Sequence, residues 1–220
     1  LIVSLSIWGQ YIRFYPGSLD MHGPWDEFWV DMLMHAFNMD AEANVPTYFN
    51  TILLFIPCLL LAAIASWKYI EKDKFKIHWA GLSLLFLYLS IDEASVIHEK
   101  LIKPMRAIFN QPGGIFYFAW VIPGILFIIL LGLAYFRFFL NLAPRFKILF
   151  FSSIGLYFLG ELGGEMMSGW FASNLGQKNF TYSAASNLEE CIGLIGLSLL
   201  IFSLLKYIEH YLPDGMTIKA

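Results

Sequence analysis

Three carboxylates and an imidazole fall within eight positions, Asp92, Glu93, His98 and Glu99, at the end of a mainly apolar run over residues 80–89. These side chains hold metals and move protons. An ionised carboxylate placed in hydrocarbon costs about 3 kcal/mol. The cluster therefore calls for compensation by a metal, another cation, a shared proton or water. Two further acidic pairs, Glu161 with Glu165 and Glu189 with Glu190, also interrupt apolar stretches.

Spacing narrows the chemistry. On one continuous helix Asp92, Ser95 and Glu99 share a face, with His98 beside Ser95, and Glu161 and Glu165 share another. Glu189 and Glu190 diverge by about 100°, so one of the two is expected to point inward. Several carboxylates and a histidine on separate helices form the ligand chemistry of a di-iron or di-manganese centre, or of zinc with acidic neighbours. The expected metal ligands are Asp92, His98, Glu99, Glu161, Glu165, Glu189 and Glu190, and the expected acid–base and catalytic groups Asp92, Glu93, Ser95 and Glu161. The Glu-x-x-His spacing usual in di-iron bundles is absent, since Glu93 and His98 are five apart. His22 and His35 reach the cluster only if their loop folds over it, and Ser186 and Asn187 supply hydroxyl and amide partners. Two other readings stay open. The acids are hydrogen-bonded register pins paired with Lys100 or Arg106, or they mark a proton or cation path.

The elements that must position these groups are membrane helices. Of 220 residues, 58% are hydrophobic, 18% aromatic and only 14% charged, against about 25% charged in soluble domains. The expected fold is a single all-α membrane domain over 1–220, a bundle of about six transmembrane helices. Five spans are clear, at 47–67, 77–97, 115–136, 146–171 and 184–207. The sixth, 1–14, is too short alone, and a preceding segment is expected to be missing; a signal peptide fits Trp8, Gln10 and Tyr11 poorly. Cys58 and Cys191 lie in apolar runs and read as packing residues. The net charge of −3 and the lack of a basic stripe exclude nucleic acid as a partner.

Loop charge orients the bundle. Lys68, Lys72, Lys74 and Lys76 follow the second span, whereas residues 15–44 carry six acids and neither Lys nor Arg. The positive-inside rule puts both termini in the cytoplasm and the acidic loop outside. Lys100, Lys103 and Arg106 run against it. Within the acidic loop, at 15–46, residues 24–38 suit an amphipathic interfacial helix, with Trp25, Phe28, Trp29, Met32, Leu33 and Ala36 on one face and Glu27, Asp31 and His35 on the other. At 1.5 Å per residue, Asp92 and Glu161 lie about 22 Å from the lysine-loop side, and the other acids fall in the same outer layer. Gly160, Gly164 and Ser168 recur every four residues, which lets neighbouring helices approach the fifth span and places it centrally.

The strings Glu42-Ala43-Asn44-Val45-Pro46-Thr47, Leu89-Ser90-Ile91-Asp92-Glu93 with His98-Glu99, and Tyr117 to Pro123 resemble a family of bacterial polytopic membrane proteins. That implies a helical bundle of the bacterial inner membrane but no particular reaction. The Ser, Asp and His near one membrane face are more weakly similar to the alkaline ceramidase-like membrane hydrolases, which implies a zinc-assisted attack. Three functions are expected from the whole pattern: a metal-dependent enzyme acting on a lipid-phase substrate, an accessory subunit packing against other membrane proteins, or a proton-coupled transporter. Membrane lipids are the expected surroundings in each case.

Overall fold

A computed structural model describes residues 1–15, 17 and 23–212. Among these described residues ten α-helices follow in order: α1 Ile2–Phe14, α2 Pro24–Ala36, α3 Val45–Ile70, α4 Lys76–Ser95, α5 Ile97–Lys100, α6 Ile102–Ile108, α7 Val121–Leu140, α8 Pro144–Phe158, α9 Glu165–Leu175 and α10 Phe180–Tyr211. A π-helical segment, Leu159–Gly164, joins α8 to α9. No strand occurs among the described residues.

Local chemistry explains the boundaries. Asn44 caps α3 by accepting the Thr47 N–H at 3.1 Å, with Pro46 in the first turn where no amide hydrogen is needed. Asn179 caps α10 by accepting the Tyr182 N–H at 2.9 Å, and Pro144 opens α8. Among the described residues four helical rods, α3, α7, α8–α9 and α10, are long and apolar enough to cross a membrane, or five if α4 and the bent α5–α6 segment count as one. The sixth expected span corresponds to α1, whose 13 residues reach only about 20 Å. Two side-chain ties fix α4 on α3: Ser83 Oγ donates to Cys58 O at 2.8 Å, and Ser90 Oγ to Thr51 O at 2.9 Å.

The hub of the bundle is α10, which packs against α1, α3, α8, the π segment and α9. The small residues of the fifth span are thus the means of approach to that hub. A Cβ on Gly160 would lie 2.5 Å from Gly193 N, so backbone meets backbone there and no larger residue fits.

Buried apolar residues divide unequally. Leu54, Leu61, Ile64, Trp79, Phe146, Phe150, Leu200, Leu204 and Tyr207 belong to a large cluster extending to the lysine-loop end. A small one, Phe118, Ala172 and Tyr182, lies toward the α2 end. Helix α2 buries none of its residues; Trp25 is 72% exposed, and Phe28, Trp29 and Met32 are exposed too. That apolar face suits a headgroup layer.

Candidate functional site

The expected continuous helix through Glu99 does not form. At Val96 the chain turns left-handed (φ 56°, ψ 40°), and the segment beyond α4 is bent away by 67°. A β-branched residue in this conformation is a genuine outlier. The Asp92 carboxylate stabilises the bend by accepting the His98 backbone N–H at 2.9 Å. Its other oxygen lies 2.8 Å from His98 Nδ1. Facing a carboxylate, Nδ1 carries a hydrogen in either protonation state, so in the neutral ring Nε2 is the basic nitrogen.

The His98 ring packs against Trp120 with centroids 4.8 Å apart. The Trp120 indole N–H donates to Glu165 Oε1 at 2.9 Å. Glu189 Oε2 accepts the Ser168 hydroxyl at 3.0 Å, and the Glu165 and Glu189 carboxyls are in hydrogen-bonding contact. Two adjoining carboxyls need a proton or a cation between them.

Asp92, Glu93, His98, Trp120, Tyr157 and Glu161 share the wall of a cavity of about 100 Å³. Its remaining wall is apolar, with Leu85, Leu89, Phe127, Ile128, Phe158 and Leu162. Glu161 reaches it from the π segment, whose widened turn recurs at functional sites. The Glu161 carboxyl rests against Gly193, where a Cβ would come within 2.9 Å of Oε1. Glu93 lies near the Asn50 amide, and Glu190 faces the charges of Glu161 and Glu93.

A shallow groove of about 380 Å³ shares Ile128, Phe158 and Leu162 with the cavity and runs along α7 and α8. It exists because α7 is fastened only near its tips. Val121 and Phe138 are its buried residues, while Leu126, Phe127, Leu130 and Leu133 stay exposed.

The chain belongs to the DUF8692 family. The family model, described as a domain of unknown function, matches residues 12–207. No curated protein and no solved structure matches the chain.

In this DUF8692 chain some expected site residues converge and others do not. Asp92, Glu93, His98 and Glu161 meet in one cavity, and Glu165 joins them through Trp120. Ser95 and Glu99 are exposed and do not line the cavity: Ser95 ends α4 on its outward side, and the break at Val96 turns Glu99 away from the α4 face it was expected to share. Glu189 and Glu190 are both half-buried, Glu189 against Gly164 and Ser168 and Glu190 toward the charges of Glu161 and Glu93. Among the described residues, Arg106 donates to the Pro112 and Tyr117 carbonyls, and neither it nor Lys100 forms an ion pair with the acids. His35 pairs with Asp31 on the exposed face of α2. Asp20 and His22 lie outside the described residues. No three His, Cys, Asp or Glu side chains among the described residues converge closely enough to hold a metal ion. The expected ligand set therefore does not form a coordination shell in this arrangement.

Trp120, Tyr157 and Asn50 are the site residues that sequence reasoning missed. Their signal was depth, since an indole, a phenol and an amide occur at the same level of their spans as the acids.

Proposed function

We propose that this chain is an integral membrane acid–base enzyme acting on the polar head of a lipid-phase substrate, with the α2 end on the non-cytoplasmic side. The observation that carries the reading is the cavity's composition. An imidazole oriented by a carboxylate shares a small cavity with Glu161, and an apolar groove adjoins that cavity at Ile128, Phe158 and Leu162. A head fits beside His98 while its chain lies along α7 and α8.

In this reading Asp92 holds the hydrogen on Nδ1, and His98 Nε2 takes a proton from water or a substrate hydroxyl. Glu161 on the facing wall returns a proton to the leaving group. Such positioned proton transfers contribute about 10²- to 10⁴-fold in rate. Hydrolysis of a headgroup bond is the simplest reaction that uses both groups.

The test is lipid turnover in nanodiscs made from a total membrane lipid extract, followed by mass spectrometry. The purified chain is expected to deplete one lipid class, and His98→Gln to slow this at least about 100-fold. Activity is expected to survive a chelator. Unchanged lipid composition with the native chain rejects the reading. Loss on chelation that zinc, iron or manganese restores replaces it with a metal-dependent enzyme.

The second reading is a proton-coupled carrier. It is favoured by the contact between the Glu165 and Glu189 carboxyls, since intramembrane acids mark proton paths. It predicts dye-detected proton flux in liposomes, abolished by Glu165→Gln, without lipid turnover.

A further inference from the structure

An open cleft of about 460 Å³ lies between the start of α8 and the last turns of α10, a size within the range of ligand pockets. Lys74 Nζ donates to Asn141 Oδ1 at 3.0 Å, and Trp67 meets Tyr211 with ring centroids 6.2 Å apart. Both helix ends therefore sit at the lysine-loop end, far from the acids. Arg145, Phe146 and Leu149 line the cleft from α8, and Phe202, Lys206, Glu209 and His210 from α10.

Spacing sorts these groups by depth. On α10, Phe202, Lys206 and His210 recur every four residues, and on α8 Arg145 and Leu149 do the same, so each set forms one ridge. The helices run in opposite directions, yet both put their basic members at the same end. One turn further in, Leu149 and Phe202 make an apolar floor, with Phe202 still 49% exposed. The cleft thus passes from cationic to apolar in the order in which a lipid presents its head and chain.

The charges are not used up within the chain. Among the described residues Arg145 makes no ion pair or hydrogen bond; its guanidinium lies over Phe146, 4.6 Å from the ring centroid. Lys206 Nζ donates to Glu209 Oε2 at 2.7 Å, but both side chains are exposed, and such a pair is worth little. Lys206 keeps two further N–H donors. The His210 ring packs on Phe146 and Tyr211 and leaves its nitrogens without a partner among the described residues. A guanidinium and an ammonium above an apolar floor match a phosphate ester that carries acyl chains.

We infer that the α8–α10 cleft binds an anionic phospholipid, its phosphate held by Arg145 and Lys206 beside His210 and the start of an acyl chain lying on Leu149 and Phe202. Phosphatidylcholine brings a cation of its own to the same place and fits less well.

The test titrates the detergent-solubilised full chain with dioleoylphosphatidylglycerol or dioleoylphosphatidylcholine and counts bound lipids by native mass spectrometry. The first phosphatidylglycerol is expected to bind about tenfold more tightly than the first phosphatidylcholine. Arg145→Gln with Lys206→Gln is expected to erase that preference. Lys72→Gln with Lys76→Gln removes the same charge near the same end without touching the cleft, and should keep it. Excess inorganic phosphate should leave the lipid bound; displacement would make this a site for free phosphate and overturn the inference. Equal affinity of the native chain for the two lipids overturns it whether or not any variant folds. So does a preference that survives Arg145→Gln with Lys206→Gln, or one lost in both double variants.

Discussion

Asp40 shows how a single carboxyl translates its surroundings into pH dependence. It lies in the loop between α2 and α3. Burial pushes its pKa above the ordinary value of 3.8, outweighing the hydroxyls of Tyr182 and Ser186 and the charge of Arg13, while Glu99 pushes the same way as burial. The folded chain therefore holds this proton more tightly than the unfolded one. Its contribution is favourable at low pH and is lost as pH rises from about 4 through the raised value. Asp40→Asn removes that loss. Thermal unfolding should show the variant's advantage growing with pH and then levelling off; a constant difference between pH 4 and 8 contradicts the assignment. The acid–base groups themselves were legible at this scale, because Asp92, Glu93, His98 and Glu161 are expensive in apolar surroundings. The pairing of Asp92 with His98, six residues away, was not, because a straight helix separates them.

The element scale explains why. Nothing in Ala94-Ser95-Val96-Ile97 announces a break, which needs neither Gly nor Pro when a side chain can cap the next turn. Val96 in the left-handed region costs about 1–2 kcal/mol, and glycine's extra chain freedom costs about 0.5–1 kcal/mol. Val96→Gly is thus expected to raise the midpoint of unfolding slightly, where glycine inside a helix would lower it. A marked drop would show that Val96 is not strained. The π segment was equally invisible, since one wide turn leaves composition unchanged. The glycines were readable as a close approach, and they make distinct predictions. Gly160→Ala drives a methyl into the Gly193 backbone at 2.5 Å, a clash expected to cost about 1–3 kcal/mol of stability. Gly193→Ala meets only the mobile end of Glu161 at 2.9 Å. It should unfold nearly as the native chain does while losing lipid turnover. Equal stability losses in the two variants would contradict the packing described.

At the scale of the molecule, the membrane assignment follows from composition, and the spans clear in the sequence overlap α3, α4, α7, α8–α9 and α10. The count remained open because α1 is short and α4 breaks. The exposed indoles of α2 should sit shallow in the bilayer. Lipids brominated high on the acyl chain should quench the native chain more than the Trp25→Phe, Trp29→Phe variant, the difference isolating the two α2 indoles from the five shared by both; a difference seen only with deeply brominated lipids would move α2 out of the headgroup layer. The unequal apolar clusters have one more consequence. The cavity of His98 and Glu161 lies at the margin of the larger cluster, sharing Leu89, Tyr157 and Phe158 with it, and its other side turns toward the sparser packing of the α2 end; the least secured part of a fold opens first. Warming should therefore disarm the protein before it melts: turnover fades while the helical signal persists, and the lysine-loop half is the last to let go.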